Sequence, residues 1–151
     1  MSLALGILWL HLLGVVVWIG GLMYQTHVLL PAARRGAATA FADAARRGRP
    51  VTWTAVAVVT LTGFYNVTRL GPLERVMESG AGLLLAGKFA LVIVAIAVAA
   101  QRDFAQVPRL AHALAGGESP AAPLAAIGRL DHVVLILALV IMYLGLAVSR
   151  A

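Results

Sequence analysis

The chain contains no cysteine and a single lysine, and only 12% of its 151 residues are charged. Each shortage excludes something. Without cysteine there is no disulfide, no thiolate metal site and no iron–sulfur cluster. Soluble domains carry charge on roughly a quarter of their residues, so an ordinary soluble fold is excluded too. There is no phosphate-binding loop and no pair of carboxylates set for acid–base work, so nothing points to hydrolysis. No Lys or Arg precedes Arg34, so the N-terminus lacks the basic region of a signal peptide. Its apolar run, Leu3 to Leu30, is also too long for a signal sequence, and reads as a retained span of an unprocessed chain.

What is abundant is apolar surface: 62% of residues are hydrophobic, and the mean hydropathy is +0.94. One core of this size has no room for so much, and lipid is the solvent that accepts it. Four runs approach the roughly 20 apolar residues that cross a bilayer: 3–30, ending before Pro31; 51–67, entered through Pro50; 82–100; and 130–148. Unpaired backbone groups are costly in hydrocarbon, so each run must be helical. The expected fold is all-α, a single domain over residues 1–151, built as an integral membrane four-helix bundle. No period of 20–50 residues recurs, which gives no sign of internal duplication.

The net charge of +6 is not spread as nucleic-acid binding needs, because the arginines flank apolar spans. No nucleic-acid partner is expected. The first connection holds Arg34, Arg35, Arg46, Arg47 and Arg49, and the third holds Arg102, Arg109 and Arg129. The second holds Arg69 and Arg75, and the C-terminus Arg150. The positive-inside rule then puts the first and third connections in the cytoplasm and both termini outside, in a bacterial cytoplasmic membrane. Thr39–Arg49 and Pro108–Ala115 have the pattern of short interfacial helices, the second stopped by Gly116 and Gly117. The stretch 117–123 reads as a break before the last span.

Ionisable groups at membrane depth are functional candidates by default. His11 and Lys88 each lie a few turns into their spans, roughly 9–13 Å below the outer surface at ~1.5 Å per residue. Tyr143 and Met142 reach the same layer late in the last span. A second layer, near the inner face, holds His27, His132, Asp131 and Trp53. Neutral imidazole ligates haem iron and copper, and bundle cores hold such cofactors between facing helices. Around His11, Gly14 leaves room for a flat macrocycle and Trp18 offers an edge to pack on it. Lys88 would serve as a second ligand, a propionate partner or a proton relay. The competing roles are a cross-helix hydrogen bond for His11 and snorkelling for Lys88. His11 and His27 are sixteen residues apart, about 160° around an ideal helix, so they should not face one core. His27 is therefore the weaker ligand candidate, and His132 beside Asp131 resembles a helix start as much as a ligand.

These residues carry two resemblances. Leu10-His11 followed by Trp18-Ile19-Gly20-Gly21, then Thr60-Leu61-Thr62-Gly63, then Gly82-Leu83-Leu84-Leu85-Ala86-Gly87-Lys88 resembles the four-span core of the copper resistance protein D family. The His, the Trp and Gly21-Leu22-Met23-Tyr24, with Lys88 in the third span, are similar to the bacterial haem-associated protoporphyrinogen oxidase family. That family's haem b and its His–Lys pair would map onto His11 and Lys88, making any enzyme here a haem-dependent oxidoreductase. The chain departs from it in Gln25-Thr26-His27-Val28-Leu29-Leu30-Pro31 and in Leu130-Asp131-His132.

The expectation is thus a bundle that binds haem b or copper for redox or metal-handling work. His11, Gly14, Trp18, Lys88 and Tyr143 would line the cofactor, Lys88 would act catalytically, and His11, His132 and His27 would be the metal ligands. A copper transport or tolerance component is the second reading. A non-catalytic accessory subunit is the third, with a membrane protein or a second copy of the chain as its partner within the lipid bilayer.

Overall fold

A computed structural model describes residues 2–69 and 80–148, and the described residues are helical apart from short turns. Helix α1 (Leu3–Tyr24) starts at Ser2, whose hydroxyl accepts the Leu5 amide. It passes through a π-helical turn (Gln25–Leu29), one short α-helical step (Leu30–Ala32) and a second π turn (Ala33–Ala37). The direction reverses at Gly36, whose φ of 120° lies in the region that glycine alone adopts readily. Helix α2 (Ala38–Thr68) runs back along α1. Helix α3 (Gly80–Gln101) leads through a π turn (Arg102–Gln106) into the short amphipathic α4 (Val107–Ala115). Gly117, at φ 68°, ends that corner, and α5 (Ala121–Val148) runs back along α3.

Among the described residues, three continuous helical stretches are long and apolar enough to cross a membrane: Leu3–Thr68, Gly82–Ala115 and Ala121–Ala147. The first, folded back at Gly36, supplies two arms, so the chain is a multi-pass four-helix membrane bundle. Leu3, Leu61, Leu83 and Leu146 all stand more than 60% exposed on its outer face. That pattern suits lipid contact, since lipid tails are as apolar as the side chains that meet them.

The element boundaries differ from the sequence expectation in three places. The first span does not stop at Pro31. The π turn's longer hydrogen-bond step lets the chain take up a proline and stay helical. The second helix begins at Ala38, not Val51, and carries Pro50 inside it. The last begins at Ala121, with Pro123 in its first turn, where a missing N–H costs nothing. The two arginine-bearing connections are therefore a packed cap at one end of the bundle. Leu30, Phe41, Leu110, Leu124 and Ile127, none more than 2% exposed, form its core. Deeper in the bundle, Trp18, Leu22, Val56, Ala95, Ala99 and Val134 form a second core. The expected second connection, with Glu74, Arg75 and Glu78, and Arg150 lie outside the described residues.

The bundle also shows a repetition that a search for short periods misses. Hairpins α1–α2 and α3–α5 share one plan: apolar helix, five-residue π turn, proline, positive-φ glycine, returning helix. Gln25 and Arg102, which open the two π turns, are 77 positions apart, as are Pro31 and Pro108, and His11 and Lys88. Buried positions recur at the same offset, with Leu22 matching Ala99, and Thr26 matching Asp103. The return arms match too. His11 lies over Gly63, its Cε1 3.4 Å from where a Cβ would stand. Lys88 lies over Gly145, its Nζ 3.2 Å from the equivalent point.

Candidate functional site

Around His11 the helices pack against each other, and the predicted cofactor residues are distributed over several faces. His11 Nδ1 is 3.0 Å from the Val59 carbonyl and 2.9 Å from Thr62 Oγ1. A carbonyl only accepts, so Nδ1 carries the proton and His11 donates. Thr62 passes its own proton to the Val58 carbonyl at 2.5 Å. The imidazole thus pins α1 onto α2. Lys88 packs instead on α5, its Nζ 3.2 Å from where a Cβ on Gly145 would stand. The room expected over Gly14 is taken: a Cβ there would stand 2.8 Å from Val59 Cγ2 and 3.4 Å from the Ala55 carbonyl. Gly14 serves the close approach of two helices, and no macrocycle fits against it. Tyr143 is 71% exposed, on the surface of the bundle. Trp18 is buried, but it faces the inner layer. The haem expectation therefore lacks its cradle.

The inner layer holds the densest polar chemistry. Arg102, 5% exposed, donates from Nε to Asp131 Oδ1 (2.9 Å), from Nη1 to Asp103 Oδ1 (2.6 Å) and from Nη2 to Gln25 Oε1 (2.5 Å). Trp53 Nε1 donates to Asp103 Oδ2 at 3.0 Å, and Arg49 Nη2 to the Asp103 carbonyl at 2.7 Å. Every arm of the bundle contributes a residue, so this one network ties the two hairpins together. Thr26 stands beside it but donates to the Leu22 carbonyl at 2.8 Å. Asp131 Oδ2 remains a buried acceptor without a partner among the described residues. A cavity of about 20 Å³, lined by Trp18, Gln25, Thr52, Arg102, Asp103 and Asp131 among others, adjoins it. That is room for about one water molecule.

Arg102, Asp103, Gln25 and Thr26 were not anticipated as a site. Arg102 follows directly on an apolar run, and such an arginine is ordinarily a solvated flank. The available signal was its place relative to Gln25, 77 positions earlier and likewise followed by a proline six residues on.

Beside this network, on the outside of the α1–α5 contact, two imidazoles meet. The ring centres of His27 and His132 are 6.0 Å apart with their planes at 59°. His27 Nδ1 lies 3.1 Å from the Met23 carbonyl, and His132 Nδ1 lies 2.6 Å from the Gly128 carbonyl. Each Nδ1 therefore donates, so in the neutral form of either ring the lone pair lies on Nε2. This is the tautomer that ligates metal, held by its backbone partner. His27 does turn away from His11, which faces Val59 and Thr62 on α2. Among the described residues no three His, Cys, Asp or Glu side chains gather as a metal site, so the imidazole pair stands as a pair.

Neither a curated protein nor a solved structure matches this chain. A family model does: it runs from Ala42 in α2 to Val148 at the end of α5, taking in Arg102, Asp103, Asp131 and His132 and leaving α1 outside. With that match over residues 42–148, the chain belongs to the copper resistance protein D family.

Proposed function

We propose that the protein handles copper ions at the bacterial cytoplasmic membrane, as a copper transport or tolerance component, and takes the ion on His27 and His132. Family membership supports copper involvement. The observation that supports the residue assignment is the pair of neighbouring imidazoles with both Nδ1 atoms committed to carbonyls. Copper here is cargo. The chain's part is to offer two nitrogen lone pairs at the end of the α1–α5 contact and to hold those helices in register through Arg102, which bonds both Asp131 on α5 and Gln25 at the end of α1. Eight arginines flank the two corners against three on the opposite side, which favours a cytoplasmic position for the pair. His11 is then part of the scaffold, and Lys88, packed on Gly145 of α5, takes no part in holding the ion.

The test is metal content. The purified protein should retain about one copper per chain after dialysis, and His27→Ala and His132→Ala should each lose it while His11→Ala keeps it. Cells carrying either inner-layer variant should change their copper tolerance in step. Copper retained by the His27→Ala/His132→Ala double variant sinks the assignment.

A further inference from the structure

The two chain reversals leave a cleft between them that has no part in the copper reading. Its walls come from both hairpins: Arg34, Gly36 and Thr39 from the first, and Leu114, Ser119 and Leu124 from the second. It holds about 480 Å³, within the roughly 300–1,000 Å³ range of small-molecule sites. We propose that it binds the phosphate of an anionic phospholipid headgroup, with Arg34 as the charged anchor and the hydroxyls of Thr39 and Ser119 beside it.

The sign of the ligand follows from the lining. Arg34 is the one charged side chain among the described residues that line the cleft. Neighbouring arginines are already engaged: Arg35 donates to the Pro31 carbonyl, and Arg46 and Arg47 pair with Asp43. Among the described residues no carboxylate pairs with Arg34. Glu118, beside Ser119 in the chain, folds back over Gly116, its Oε1 3.7 Å from where a Cβ there would stand.

The anchor is also seated. Arg34 Nη2 is 2.8 Å from where a Cβ on Gly128 would stand, so the guanidinium rests on α5 where that helix has no side chain. Ser119 Oγ accepts the Ala121 amide at 3.4 Å, which leaves its O–H to donate. Arg34, Thr39 and Ser119 are all exposed, and an anion replaces the water that such donors otherwise bind. Guanidinium–phosphate bonds are charge-assisted and forked, the stronger kind of hydrogen bond.

The rest of the lining fits a lipid. Ala33, Ala38, Leu114, Ala121 and Leu124 give the cleft an apolar wall. A phospholipid places its glycerol and first methylenes against such a wall, and free phosphate has nothing to place there. The cleft lies at the end of the membrane-crossing arms, where headgroups sit, and basic pockets between spanning helices bind anionic headgroups.

The experiment titrates the full-length protein in detergent with phosphatidylglycerol, phosphatidylcholine and inorganic phosphate, and counts bound molecules by native mass spectrometry. One phosphatidylglycerol per chain is expected, held more tightly than phosphatidylcholine. Arg34→Gln should weaken it about tenfold, the worth of one charge-assisted bond. Arg35→Gln removes the same charge next door, outside the lining, and should leave binding nearly unchanged. Thr39→Val should weaken binding in the same direction as Arg34→Gln, and carries the test should Arg34→Gln not fold. Equal losses from Arg34→Gln and Arg35→Gln would mean diffuse surface charge and overturn the site. Equal retention of phosphatidylcholine overturns the anion, and inorganic phosphate bound as tightly as the lipid overturns the lipid source. Copper content is read separately, and its loss or retention leaves this result untouched.

Discussion

The guanidinium of Arg102 and the carboxylate of Asp131 lie 2.9 Å apart across the α3–α5 contact, both almost fully buried. A buried ion pair is poor evidence of net stability, but breaking one side of it strands the other charge. Arg102→Met should therefore destabilise the bundle by about 3–5 kcal/mol. The Arg102→Met/Asp131→Leu double variant should recover a large part of that loss, though Asp103 then lacks its strongest donor. Thermal unfolding in detergent measures both, and a harmless single variant contradicts the network.

His11→Ala should leave copper content unchanged and lower stability by about 1 kcal/mol, the scale of a hydrogen bond. Thr62→Val should do much the same, and the double variant should cost less than the two singles together because they share one interaction. Strict additivity in that cycle counts against the α1–α2 pin.

Gly14→Leu tests the helix contact. Val59 already stands where a Cβ would fall, so the larger side chain must push α1 from α2, at about 1–3 kcal/mol or more. A large loss of melting temperature is expected. Gly20→Ala, with nothing within 4 Å of its added Cβ, should be nearly neutral and serves as the control.

Orientation is open to direct measurement. Reporters fused after Gly36 and after Gly117 should read cytoplasmic, and one after Glu78 external. An external reading at Gly36 moves the imidazole pair to the other side of the membrane and leaves its internal geometry untouched.

Lysine cannot replace Arg102. Its ammonium lacks the planar fork that reaches Asp131, Asp103 and Gln25 at once. Arg102→Lys should melt well below the parent, nearer Arg102→Met, as a thermal scan of the three proteins will show.

Composition and apolar run length alone determined that this chain is an all-α membrane bundle with four arms, because hydrocarbon tolerates few other structures. The sequence pattern also marked His11 and Lys88 as facing the same layer, and the rotation between His11 and His27 as too large for one site. What lay in the connections was not legible. Arg49, Arg102 and Asp103 look like solvated flanks in one dimension, and only the folding of two hairpins against each other buries Arg102 and Asp103 and half-buries Arg49 beside them. The same holds for His27 and His132, which lie 105 positions apart and meet only through the α1–α5 contact. Gly14 illustrates the converse. A glycine near a histidine admits either a ligand or a neighbouring helix, and Val59 on α2 takes the space. Hydropathy depends on each residue's own transfer energy and is readable locally. Which polar groups meet depends on helix rotation, π turns and the long-range pairing of arms, and these the tertiary structure decided.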